Sequence, residues 1–324
     1  MPLLTHTGKP RVILGLMTFG PAGHPLTRIG SLDEFNTALD HFQAAGYNEV
    51  DTARVYIEGQ QEAFTRQAHW KERGLTLATK VYPSPPGNHK PEVITKLFET
   101  SLKELGTDCV DIFYLHAAIL SLEERNRGKF VQLGLSNFTA FEVAEVVMHC
   151  KYNNWVRPTI YQGMYNAITR SLAAEVIPAC RRYGLDVVTY NPIAGGLFSG
   201  KYKAKEDDPK EGRFNDSTRQ GQMYRERYFR DSTFEALSII QPVVEKHGLT
   251  LVETALRWMV HHSDLKVTDG NDGILIGVGS IEHLDQNLKD FEKGPLPEEV
   301  VQALDQAWLV CKPQTPNYYH LDLK

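Results

Sequence analysis

Cysteine is scarce and scattered. Cys109, Cys150, Cys180 and Cys311 are the only four, and no two share a paired spacing. That excludes a disulfide framework or a zinc ligand set and suits reduced thiols in a cytoplasmic protein. Long apolar runs are also missing; none approaches the roughly 20 residues that span a bilayer. The first eleven residues are short, polar and broken by Pro2 and Pro10, unlike a signal or transit peptide. Charge of one sign is not in excess: 35 Lys and Arg face 40 Asp and Glu, a net −5 without long like-charge blocks. Nucleic acid and anionic membrane surfaces are therefore poor partners. No Gly-rich G-x-G-x-x-G fingerprint occurs.

What is present is alternation. Short β-rich runs at Val12 to Gly15, Tyr47 to Asp51, Leu75 to Lys80, Cys109 to Leu115, Phe130 to Leu135, Thr159 to Met164, Leu185 to Tyr190 and Ile274 to Val278 predict eight strands. Helical periods separate them. Leu32 to Ala45 lies between a Ser31 cap and a Gly46 stop, and Gly59 to Arg73 ends at Gly74. Glu92 to Leu105 precedes Gly106, Thr139 to Asn153 follows the fifth strand, and Leu172 to Tyr183 precedes Gly184. Eight such units predict one α/β domain over residues 1–324, a (β/α)8 barrel with long carboxyl-face loops. Two connections depart from the rule. Pro192 to Asp231 lacks a steady period and is expected to form a lid over the pocket, whereas Ala117 to Lys129 is a crossover near the minimum length.

Chemistry gathers at three strand ends. Asp51, Lys80 and His116 close the second, third and fourth strands, and Tyr56 follows Asp51 by one short loop. On a parallel barrel that rim is the chemical face. A phenol near pKa 10 needs a neighbouring cation to become a proton donor near neutrality. An ammonium about 4 Å away, at an effective dielectric near 20, contributes about 4 kcal/mol. Lys80 is therefore expected to lower the Tyr56 pKa, with Asp51 keeping the lysine protonated. His116 is expected to donate a hydrogen bond to a substrate oxygen.

The order Asp51, Tyr56, Lys80, His116, then Gly134-Leu135-Ser136-Asn137, Tyr161 to Asn166 and Tyr190-Asn191-Pro192, resembles the aldo-keto reductase superfamily. Tyr161 to Asn166, Asn191 to Lys203 and Pro316 to Tyr319 are similar to its aflatoxin-aldehyde and succinic-semialdehyde reductase branch. The resemblance runs from Arg11 to Tyr319. It implies reduction of aldehydes or dicarbonyls with NADPH, Tyr56 as proton donor, a small-molecule aldehyde or ketone substrate, a cytoplasmic location and a homodimer.

The resemblance also implies cofactor contacts. Ser136, Asn137 and Gln162 would meet the nicotinamide carboxamide, and Tyr190 would stack on its ring. Asn191, Gly195, Gly196 and Lys201 would cover the pyrophosphate, and Arg213 would be a further contact. Gly277, Ser280, His283 and Asn287 would serve the adenosine phosphate at a helix N-terminus. Tyr224 and Arg227 would meet the substrate, beside His116.

Departures accompany the match. Gly279-Ser280-Ile281-Glu282-His283 stands where the branch has Ser-Ser-Leu-Glu-Gln, which weakens the preference for NADPH over NADH and makes affinity pH-sensitive through His283. His320 replaces a C-terminal Arg, favouring a neutral aldehyde or dicarbonyl over succinic semialdehyde. Ala117-Ala118-Ile119 replaces the Pro-Asp after the catalytic His, and the crossover is about ten residues shorter than one with a full helix. Two alternatives therefore stay open: a cofactor-binding regulatory subunit, and an inactive shortened reductase.

Overall fold

The computed structural model describes residues 8–82, 90–115, 128–210 and 212–319. Eight parallel strands close in chain order. They are β1 (Val12–Gly15), β2 (Glu49–Asp51), β3 (Thr76–Val81), β4 (Val110–Leu115), β5 (Phe130–Ser136), β6 (Ile160–Met164), β7 (Asp186–Tyr190) and β8 (Gly273–Ile276). The helices are α1 (Leu32–Ala44), α2 (Gln61–Gln67), α3 (Pro91–Leu105), α4 (Ala140–Tyr152), α5 (Ser171–Tyr183), α6 (Arg219–Tyr228), α7 (Asp231–Lys246), α8 (Leu251–His261), α9 (Ile281–Phe291) and α10 (Glu298–Cys311). The expected (β/α)8 barrel is what forms.

Local signals explain many helix boundaries. Ser31 and Thr139 each close a capping box, with Glu34 and Glu142 respectively. Gly106 and Gly184 stop α3 and α5 in the left-handed region, at φ 71° and 74°.

Side-chain alternation sorts the barrel interior into levels. At the floor Arg11 donates to Glu49 through Nε at 2.9 Å and Nη2 at 2.8 Å. Ile13, Ala78, Ile112, Tyr114, Ile160 and Val188 fill the middle. Two residues beyond Ala78 on β3 and Ile160 on β6 the same parity brings in Lys80 and Gln162, and on β2 Asp51 follows Glu49 by two; all three are buried. Gly134 on β5 makes room for the Tyr114 ring, which any Cβ there would strike.

The seams are unequal. β6 and β7 pair from Ile160↔Asp186 through Met164↔Tyr190, whereas β7 meets β8 at Val188↔Gly273 and Thr189↔Ile274.

Two expectations change. The helix expected over 59–73 shrinks to α2, because His69 turns left-handed (φ 55°) and Trp70 buries its indole to donate to Leu105 O at 3.0 Å. The lid is not irregular throughout: it contains α6, whose Tyr224 and Tyr228 pack with Phe214 and Phe229 in an aromatic cluster. The short crossover falls on 117–129, of which 117–127 lie outside the described residues; β4 and β5 pair directly from Val110↔Phe130 to Leu115↔Leu135.

Candidate active site

Three of the four expected catalytic residues meet at the carboxyl-terminal mouth. His116 lies outside the described residues. Lys80 is fully buried; its Nζ donates to Asp51 Oδ1 and, at 2.9 Å, to Thr52 O. The other carboxylate oxygen of Asp51 accepts from Gln162 Nε2 at 2.9 Å. Lys80 Nζ also sits 5.2 Å from the centroid of the Tyr56 ring and 5.9 Å from that of Tyr114. Ammonium, carboxylate and phenol thus share one patch.

The expected lowering of the Tyr56 pKa is reversed here. Burial and the Asp51 carboxylate both raise it well above an ordinary phenol, while Arg213 opposes them. Burial also lowers the Lys80 pKa, with Asp51 acting against that. The lysine charge is compensated by Asp51, and desolvation prevails at the phenol. Tyr56 therefore stays protonated across the physiological range.

Tyr56 stands on an unusual turn. Ile57, Glu58 and Gly59 follow with φ 49°, 51° and 86°, three successive residues in the left-handed region. The β-branched Ile57 is the costly one, and its side chain is buried.

Beside this patch a rim network continues along β5, β6 and β7. Tyr190 Oη donates to Asn137 Oδ1 at 2.7 Å, and Asn137 Nδ2 donates to Ser136 Oγ at 3.0 Å. Burial pushes the Tyr190 phenol up to about 12. Tyr224 Oη donates to Asn191 Oδ1 at 3.0 Å, and Asn166 Nδ2 donates to Asn191 O at 3.0 Å. The Tyr224 bond fastens α6 to Asn191, which Asn166 in turn holds. Arg213 and Arg227 place their guanidinium carbons 5.0 Å and 5.6 Å from the Tyr224 ring centroid. Arg213, Tyr224 and Tyr190 are close enough to act on the Tyr56 phenol.

The backbone leaves room for close approach at several glycines near the mouth. Gly195 and Gly196 adopt φ 69° and 103°, and a Cβ at Gly196 would meet nothing within 4 Å, so a ligand can approach the chain closely. Gly277 opens toward Arg213, whose Nη2 would lie 3.8 Å from a Cβ there. Ser280 caps α9 through its Oγ, accepting from His283 N at 3.2 Å. Arg213 thus lies beside Gly277, four residues before the first residue of α9. This donor set fits a phosphate-bearing cofactor.

The remaining expected contacts are placed differently from one another. Gln162 points its amide at Asp51 inside the barrel. Lys201 is exposed, and Asn287 is buried on α9. Among the described residues no group of His, Cys, Asp and Glu could hold a metal. Residues not anticipated also enter: Met17 Sδ accepts from Arg213 Nη1 at 3.3 Å and Gln220 Nε2 at 3.5 Å. Arg54 and Glu62 flank the Tyr56 turn. The first of these stands inside Asp51-Thr52-Ala53-Arg54-Val55-Tyr56, and a charge between two apolar neighbours was its visible signal.

Comparison with known proteins gives the family. The model of the aldo/keto reductase family matches residues 11–309. Aflatoxin B1 aldehyde reductase member 2 of Mus musculus is 39% identical over 331 residues, covering 96% of this chain and 88% of that protein. Aldo-keto reductase family 7 member A3 of Homo sapiens is 39% identical over 336 residues, covering 96% and 97%. An aldo-keto reductase of Pseudocercospora fijiensis is 40% identical over 296 residues, covering 87% and 99%. By that match and by these relatives, the chain belongs to the aldo/keto reductase family.

Proposed function

We propose that this chain reduces aldehydes or dicarbonyls to alcohols, with NADPH as the reductant and Tyr56 as the proton donor. The observation that carries the reading is the buried Lys80–Asp51 pair lying beneath the Tyr56 ring at the barrel mouth. The names of the relatives, aldehyde reductases among them, support it. When bound, NADPH would be the source of hydride for the carbonyl carbon. Charge then develops on the carbonyl oxygen, and the chain must place a proton there.

Tyr56 holds that proton because burial keeps its phenol protonated. An alkoxide is a much stronger base than a phenolate, so transfer from Tyr56 is downhill as the carbon–oxygen bond becomes single. The phenolate left behind finds Lys80 next to its ring, where a cation is most effective once negative charge appears. His116, immediately after β4, would orient the carbonyl oxygen. Ser136, Asn137 and Gln162 would engage the carboxamide, Tyr190 the ring, and Gly195, Gly196, Arg213, Gly277 and Ser280 the phosphates, with Asn191, Lys201, His283 and Asn287 completing the cradle. Tyr224 and Arg227 line the substrate side. A cytoplasmic homodimer is part of the same proposal.

The test follows NADPH oxidation with 4-nitrobenzaldehyde and methylglyoxal. Tyr56→Phe is expected to lose turnover while NADPH still quenches tryptophan fluorescence. Wild-type turnover in that variant would remove Tyr56 from its role.

A further inference from the structure

The loop that carries Tyr56 is held from behind, outside the barrel. Arg54 Nη1 donates to Glu62 Oε2, and Arg54 Nη2 donates to Gly59 O, the last residue of the left-handed turn. The other oxygen of Glu62 accepts from Thr79 Oγ1 at 2.6 Å. Thr79 directly precedes Lys80. By strand alternation its side chain faces outward where that of Lys80 faces in. One carboxylate therefore ties the residue two before Tyr56 to the residue one before Lys80.

The links are buried. Glu62 is fully buried and the Arg54 side chain is 13% exposed. Backbone bonds reinforce them: Arg54 N donates to Lys80 O at 2.9 Å. Thr52 Oγ1 also donates to Gln61 Oε1, so the first turn of α2 grips both ends of the loop. Gly59 is shaped for the guanidinium, since a Cβ there would lie 2.6 Å from Arg54 Nη2.

An ion pair out of water is a poor way to gain stability, because an apolar pair of similar volume often does as well or better. Two successive non-glycine residues at positive φ add strain that the surroundings must hold. Burying charge to hold a strained turn, on the side away from substrate, is explained if the geometry of Tyr56 is what is maintained. We propose that Arg54 and Glu62 are positioning residues, forming a brace that fixes the Tyr56 hydroxyl relative to Lys80 and the substrate oxygen. This rests on Tyr56 being the proton donor.

The test uses the full chain. Arg54→Met with Glu62→Gln removes both charges yet keeps an acceptor for Thr79, so the fold has no buried unpaired ion. Melting temperature and NADPH affinity by fluorescence quenching are expected to stay near wild type. A misplaced donor of about 1 Å costs on the order of 100-fold in kcat, and that loss is expected here. The solvent deuterium isotope effect on kcat should rise as proton transfer becomes slow. A folded double variant with kcat within about 3-fold of wild type, less than 1 kcal/mol in barrier, overturns the brace.

Arg54→Lys decides the matter if the double variant does not fold. It keeps the charge but cannot reach Glu62 and Gly59 O together, so kcat should fall about 10-fold at unchanged KM, and an unchanged kcat overturns the proposal. Tyr56→Phe measured alongside separates the two readings. Turnover lost there but kept in the brace variants sinks only the brace, whereas turnover kept in Tyr56→Phe sinks the donor assignment itself.

Discussion

Gln162 Nε2 reaches from β6 across the barrel to Asp51 Oδ2 on β2, at 2.9 Å. Gln162 also shares a hydrogen bond with Tyr114, whose ring lies over Lys80. The carboxylate that pairs with Lys80 is therefore held at both oxygens. Gln162→Met should leave one Asp51 oxygen without a donor, in a place water does not easily reach. About 1–3 kcal/mol of stability is expected to be lost. Urea unfolding of the two proteins measures it, and an unchanged midpoint would show that Asp51 finds another donor.

Gly195 and Gly196 should respond differently to alanine. Both are left-handed, so each substitution pays about 1 kcal/mol in backbone terms. At Gly195 the new Cβ also lies 2.6 Å from the Tyr224 ring, and relief requires moving α6 away from Asn191. Gly195→Ala is expected to weaken NADPH binding and increase proteolysis of the lid, with Gly196→Ala milder on both. Fluorescence titration and limited trypsin digestion compare them.

Tyr56 should titrate late. Its pKa is raised, so above pH about 10 the unfolded chain releases this proton while the folded chain keeps it. This contribution to stability is fully present below that pH and is lost as pH rises further. The ultraviolet phenolate signal of the wild type minus that of Tyr56→Phe should be close to zero at pH 10. A difference of one full tyrosinate at that pH would contradict the burial argument.

Thiol chemistry offers an independent check on packing. Cys150, Cys180 and Cys311 are buried, and burial pushes the Cys180 thiol up to about 12 and that of Cys311 to about 11. Only Cys109 is partly exposed. A thiol reagent at pH 8 is expected to label Cys109 first and the other three only on unfolding. Peptide mapping after a short exposure identifies the site.

Much of the barrel could be read from the chain because its signals are local. Ser31, Thr139, Gly106 and Gly184 mark helix ends by their own hydrogen bonds or dihedral angles, and those ends fall within a residue or two of expectation. The Asp51, Tyr56 and Lys80 cluster was legible because each closes or follows a strand of known parity. What escaped depends on distant partners. α2 ends early because Trp70 packs under Leu105, thirty-five residues on. α6 is mostly polar, and the aromatic cluster around Phe214 anchors it rather than a periodic apolar stripe of its own. The effect of Lys80 on Tyr56 was misjudged for a related reason. Sequence showed a cation near a phenol and a carboxylate paired with that cation, but not the burial that raises the Tyr56 pKa and lowers that of Lys80.

The meager ladder joining β7 to β8, at Val188↔Gly273 and Thr189↔Ile274, lies between Tyr190 and Gly277, two residues of the proposed cofactor cradle. A ring of staves with one thin joint breathes at that joint. Amide hydrogens on β8 should exchange with solvent sooner than those on β6, and whatever bridges the gap would act as a hoop, slowing exchange on both sides at once.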